Sequence, residues 1–110
     1  MTRWSALATI LALGYATPVL AESVSVKYRG PVPLDTFQCT DITKSKFIKR
    51  ICYDKDKTYL LIQLGDDYHQ YCAVDQTTES QLLASNEIGH FYNTTIRHHF
   101  SCRDTGPPTY

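Results

Sequence analysis

Thiols, imidazoles and paired acids are the groups in this chain that could do chemistry, and their spacing limits what each can do. Cys39, Cys52, Cys72 and Cys102 are separated by 13, 20 and 30 residues. A zinc knuckle draws two thiolates from a short Cys-x-x-Cys loop, and no such pair occurs here. Four cysteines in a short chain point instead to two disulfides, with three possible connectivities. His69, His90, His98 and His99 stand at no recognised ligand spacing from a carboxylate. Adjacent His98 and His99 would also project to opposite sides of an extended backbone, so one ion could not use both. Neither a metal nor a cofactor is expected. Asp66-Asp67 follows Gly65, and a Gly-Asp-Asp turn between strands accounts for that pair of acids. There is no Gly-x-Ser-x-Gly elbow, and bridged cysteines offer no thiolate. With no nucleophile, base and orienting group to name together, the chain reads as a non-enzyme.

Binding residues are the remaining possibility. Tyr71, Tyr92, Asn93 and Arg97 fall where a third strand and a second helix should meet, and they form the candidate binding group. Asn93-Thr94-Thr95 is also an acceptor sequon, though a hydrogen bond at a helix end is the simpler use of Asn93. Arg97 could tie down the last helical turn or clasp a carboxylate or phosphate with its planar fork. Eight tyrosines and four phenylalanines in the chain supply aromatic area both for a small core and for an exposed contact surface.

Those residues need elements to hold them. Residues 1–21 carry only Arg3 as a charge, have an apolar centre from Ala6 to Leu13 and end Val19-Leu20-Ala21. That is the pattern of a secretory signal peptide cleaved before Glu22. Without Arg3 the 11 basic residues of the chain become 10 against 11 acidic ones, a formal charge of −1, which favours neither a polyanion nor an anionic membrane. Residues 22–46 read as an arm: Ser23 to Tyr28 alternates like a short strand, and Pro31 and Pro33 interrupt it. Phe47 to Tyr53, Tyr59 to Leu64 and Tyr68 to Val74 are strand-like runs separated by polar turns. Asp75 suits an N-cap for a helix from Gln76 to Ser85. Ser85-Asn86 suits one from about Glu87 to Thr95, whose Ile88, Phe91, Tyr92 and Ile96 share a face. The expected fold class is α+β: a three-stranded antiparallel meander, two short C-terminal helices packed on one face, and an N-terminal arm tethered by a disulfide. Residues 47–103 form the domain and 104–110 a flexible tail. In such a meander Cys52 and Cys72 sit on outer strands, about 9–10 Å apart, beyond disulfide reach. That removes Cys52–Cys72; of the two connectivities left, the sequential pairing Cys39–Cys52 with Cys72–Cys102 is favoured, and Cys39–Cys72 with Cys52–Cys102 stays open.

One series of residues resembles a known family. Ile48-x-x-Ile51-x-Tyr53-Asp54, Leu60-x-Ile62-x-Leu64, Tyr71-x-x-Val74, Leu82-Leu83-Ala84-Ser85 and Gly89-x-Phe91-x-Asn93-x-x-Ile96-Arg97 are similar in order and spacing to the KTSC domain. That domain takes its name from the C-terminus of certain lysyl-tRNA synthetases and also occurs alone in short bacterial and phage proteins. The resemblance spans residues 45–100 and implies a small sheet-plus-helix module without an established biochemical role. The chain departs from the family pattern at His69, at Asp75 and at Cys52, where the family has tyrosine, proline and glycine. All four cysteines look like additions suited to export.

Taken together, these readings describe a small exported, non-enzymatic interaction module in the periplasm or outside the cell. Another protein or a peptide is the expected partner, and no lasting membrane association is expected after cleavage. A nucleic-acid-binding module is the first alternative, through the family's synthetase connection and the Lys44, Lys46, Lys49, Arg50 cluster, although nucleic acid is not the expected partner. A small periplasmic hydrolase or lysis-related enzyme is the second.

Overall fold

Burial with a period of two lays out the first strand: Ser23 and Ser25 face solvent, Val24 and Val26 face inward. The computed structural model describes residues 21–110, so the signal peptide expected over 1–21 lies outside the described residues except for Ala21. Six strands follow in order: β1 (Ser23–Val26), β2 (Gly30–Pro33), β3 (Gln38–Asp41), β4 (Ile48–Asp54), β5 (Tyr59–Leu64) and β6 (Asp67–Tyr71). They form one sheet in the order β2-β1-β6-β5-β4-β3, antiparallel except for the contact of β1 with β6. The fold is α+β, as expected, but the strand count of three is corrected to six. The meander β4-β5-β6 is the middle of a wider sheet, because residues 22–46 add strands to both of its sides.

The prolines of the arm lie within a strand and do not interrupt it. Leu34 donates its amide to the Glu22 carbonyl at 2.8 Å, so alternation turns the amide positions of residues 31 and 33 outward. β2 is an edge strand, where a missing outward donor costs no ladder bond. Pro31 and Pro33 thus select an edge rather than ending the strand. The opposite edge is β3, joined to β4 both by pairing and by the Cys39–Cys52 disulfide, whose two residues face each other across the ladder.

The helices are α1 (Gln76–Ala84), α2 (Ile88–Phe91) and α3 (Cys102–Thr105), with α2 running into a π-helical turn over Tyr92–Ile96. Asp75 has the extended backbone of an N-cap, but its carboxylate accepts from the Thr78 hydroxyl at 2.5 Å rather than from a backbone amide. Ser85 accepts the Glu87 amide at 3.1 Å. α1 and α2 pack Leu82, Ile88, Tyr92 and Ile96 against Ile48, Ile51, Tyr53, Leu60, Ile62 and Tyr71 of the sheet. Each aliphatic side chain buried in this way is worth about 1.5–3 kcal/mol relative to exposure. Most of the apolar family residues quoted above lie in this core, and Gly89 has its own reason: a Cβ there would meet the Phe47 ring at 3.0 Å.

The other face of the sheet is also covered. Val24, Val26, Val32, Leu34, Cys52, Tyr59, Leu61, Tyr68 and Cys72 form a second core, flanked by Phe37, Cys39 and Cys102. Cys72 is bridged to Cys102, which holds α3 against the end of β6. Ser101 caps α3 by accepting the Arg103 amide at 3.1 Å. Gly106, at a φ of 74°, then turns the chain back. Of residues 104–110, expected to form a flexible tail, Pro108, Thr109 and Tyr110 make contacts with the second face that are described below. Among the described residues no helix is long and apolar enough to cross a membrane.

Candidate functional site

The tail meets the sheet at a seat built from residues far apart in sequence. Asp54 closes β4 opposite Tyr59, which opens β5. Since Tyr53 points to the helix side, alternation sends Asp54 and Tyr59 to the second face. Asp54 is a buried charge at 2% exposure, and its oxygens are occupied. Thr36 Oγ1 donates to Oδ2 at 2.7 Å and the Tyr110 hydroxyl to the same oxygen at 2.8 Å, while the Lys57 amide donates to Oδ1 at 3.3 Å. Burial alone would raise this carboxyl's pKa. The three hydrogen bonds and the Lys57 charge outweigh burial and bring it below its ordinary value.

Tyr59 is fully buried, yet its hydroxyl is satisfied from two sides: Arg29 Nη1 donates to it at 3.0 Å and it donates to Gln70 Oε1 at 2.6 Å. Arg29 also reaches the tail, donating Nη2 to the Pro108 carbonyl at 2.5 Å. Lys57 Nζ donates to the Thr109 carbonyl at 2.5 Å and stands 4.0 Å from the centre of the Tyr110 ring. That ring packs 5.5 Å from Phe37 and 6.1 Å from Tyr59, centre to centre. Burial first, then the bond to Asp54, pushes the Tyr110 hydroxyl's pKa well above its ordinary value.

The group expected to bind divides between interior and surface. Tyr71 and Tyr92 belong to the helix-side core, with hydroxyls 2.5 Å apart and rings edge to face. Burial, followed by the Tyr92 hydroxyl, raises the pKa of Tyr71. Asn93 and Arg97 are exposed, and Arg97 closes the π-helical turn by donating its amide to the Tyr92 carbonyl at 2.8 Å. The tyrosines thus brace β6 against the π-helical turn that follows α2. Among the described residues no group of three or more His, Cys, Asp or Glu gathers as ligands. Of the basic cluster, Lys44 donates to the Leu83 carbonyl at 2.9 Å. Arg50 is paired with Glu22 through bonds of 2.6 and 3.0 Å.

Sequence reasoning missed the seat. Two signals pointed to it: an aspartate directly after the apolar Ile51-Cys52-Tyr53, and Pro107-Pro108-Thr109-Tyr110, which can lie extended without amide donors at its first two residues. Compared with known proteins, residues 44–100, more than half of the chain, match the family model of the KTSC domain. No curated protein and no solved structure matches. Asp54, Lys57 and Tyr59 lie within the matched stretch, whereas Arg29, Thr36, Phe37 and Tyr110 lie outside it.

Proposed function

The chain belongs to the KTSC domain family, and from that premise we propose that it is a small exported, non-enzymatic interaction module acting in the periplasm or outside the cell. The observation that carries this reading is the seat on the second face, where aromatic rings and two cations hold an extended stretch of polypeptide by its carbonyls and one tyrosine. Two bridges support export, since disulfides persist in oxidising compartments. Glu22 supports it too. The residue expected to head the mature chain accepts the Leu34 amide at its carbonyl and Arg50 at its carboxylate, so the fold uses the mature chain from its first residue.

Site-specific photocrosslinking in the native host tests the proposal. A probe replacing exposed Asp35, next to Thr36 in the chain and lining one hollow with Leu34 and Phe37 of the second face, should give a discrete polypeptide adduct. A probe replacing exposed Glu87 on the helix side should not. If neither position captures a polypeptide, the reading is wrong.

A further inference from the structure

The contacts that dock the tail are ones a separate polypeptide could make equally well. Arg29 and Lys57 donate to two successive main-chain carbonyls, those of Pro108 and Thr109. Asp54 accepts one phenol, and Phe37 and Tyr59 border its ring. What the seat reads is therefore a backbone in extended form plus a single tyrosine. Prolines before that tyrosine fix φ and carry no amide donor. Such a segment arrives extended with little conformational freedom left to lose, which is how aromatic-lined grooves take proline-rich peptides. The seat is also open: Tyr110 remains 43% exposed, and the last disulfide before it is at Cys102.

We infer that this seat recognises an extended, proline-containing segment of a partner polypeptide anchored by a tyrosine, and that residues 107–110 occupy it in cis as a built-in competitor. The inference rests on the interaction-module reading and supplies its ligand chemistry. The charges favour such a ligand: the buried carboxylate needs a neutral donor, which a phenol provides, and the two cations need acceptors, which proline-rich backbone supplies through unpaired carbonyls. Three seat residues, Arg29, Thr36 and Phe37, and the tail itself fall outside the family-matched stretch, so the site is an elaboration of this chain on the family frame. A tail tethered next to its seat acts at an effective concentration in the millimolar range. A ligand in trans must displace it.

The test uses the full oxidised chain and the peptide acetyl-Gly-Pro-Pro-Thr-Tyr-amide, followed by amide chemical shifts and calorimetry. Tyr110→Ala empties the ring's place, and the peptide should then bind at least about tenfold more tightly than to wild type, shifting Phe37, Asp54 and Lys57. Replacing the peptide's tyrosine by phenylalanine should weaken binding about tenfold, as loss of a hydrogen bond to a charged group does. Tyr110→Phe, which keeps the ring in the chain and removes only its hydroxyl, serves the same comparison if Tyr110→Ala does not fold. The inference fails if neither variant gains affinity, or if a peptide with alanine for tyrosine binds equally well. A wild-type dimer abolished by Tyr110→Ala would overturn it in favour of a second copy as occupant. Failure with peptide alongside persistent crosslinks from position 35 rejects this ligand chemistry alone. Loss of those crosslinks rejects the module reading itself.

Discussion

A carboxylate at 2% exposure must be compensated or neutralised, and Asp54 is compensated by Thr36, Tyr110 and the Lys57 amide. This gives the seat a pH dependence of definite sign. Asp54 has a folded pKa below its unfolded value. Its contribution is therefore present above the unfolded value, about 3.9, and lost as pH falls through the folded one. Denaturant titrations at pH 7 and pH 3 should show wild type losing more stability in acid than Asp54→Asn does; equal losses would remove Asp54 from the account. At the alkaline end, burial and Asp54 raise the Tyr110 pKa, so its contribution stays whole below the unfolded value, about 10, and goes only as pH rises through the folded one. On the other face, Tyr71→Ala should cost about 3–5 kcal/mol, as truncation of a buried aromatic does. Exposed Arg97→Ala should stay within about 0.5 kcal/mol of wild type; unchanged stability in Tyr71→Ala would show that its ring is not a brace. Reading these roles from sequence was uneven for a physical reason. Tyr71 and Tyr92 announce themselves as aromatics at a strand–helix junction, and that junction is where core forms. Asp54 finds its partners 18 and 56 residues away, and no periodicity relates such distances.

Turns and edges decide which elements exist. Thr58 ends the turn between β4 and β5 with a φ of 46°, a left-handed conformation that a β-branched residue adopts at a cost of roughly 1–2 kcal/mol. It is held there because its carbonyl accepts the Val74 amide at 2.9 Å, tying the turn to the chain leaving β6. Asparagine tolerates this region without glycine's extra freedom in the unfolded state. Thr58→Asn should therefore raise stability by roughly 0.5–1 kcal/mol, read as an upward shift of the urea midpoint at constant slope. A drop would mean the Thr58 hydroxyl bond to Lys57 matters more than the strain. Strands β4, β5 and β6 are legible because aliphatic and aromatic residues recur in them between polar turns. β1 was legible through alternation, but its membership of the main sheet was not: it joins β6 by a parallel contact at Val26 and Tyr68, a long-range pairing that local pattern does not encode. β2 was hidden by its prolines. β3 was hidden because it is an outer strand whose residues are mostly exposed, leaving no hydrophobic rhythm to detect.

At the scale of the molecule, the two disulfides do different work. In the chain-entropy picture the 13-residue loop of Cys39–Cys52 should contribute about 3 kcal/mol and the 30-residue loop of Cys72–Cys102 about 3.5 kcal/mol. Each is a large share of a small domain's stability. Full reduction should lower Tm by well over 10 °C, given roughly 4–8 °C per kcal/mol for a domain of this size. The local consequences should diverge. Cys39 and Cys52 already face each other in the β3–β4 ladder, whose main-chain pairing remains when both become serine, so Thr36 and Phe37 just before β3 keep their place. Cys72–Cys102 is the covalent tie between the sheet and α3, supported by the Cys72 amide donating to the Phe100 carbonyl at 3.0 Å. The chain reaches the seat from α3 in the few residues after Gly106. Cys72→Ser with Cys102→Ser should therefore detach the tail as well as lower Tm. Amide exchange at Lys57 should rise in this variant, and the tail peptide should gain affinity in trans as the competitor in cis is lost. The Cys39→Ser, Cys52→Ser variant should show the Tm loss without either change. If both double variants disturb Lys57 equally, the tail is held by the stability of the whole domain rather than by its own bridge, and the Cys72–Cys102 disulfide has no special part in closing the seat.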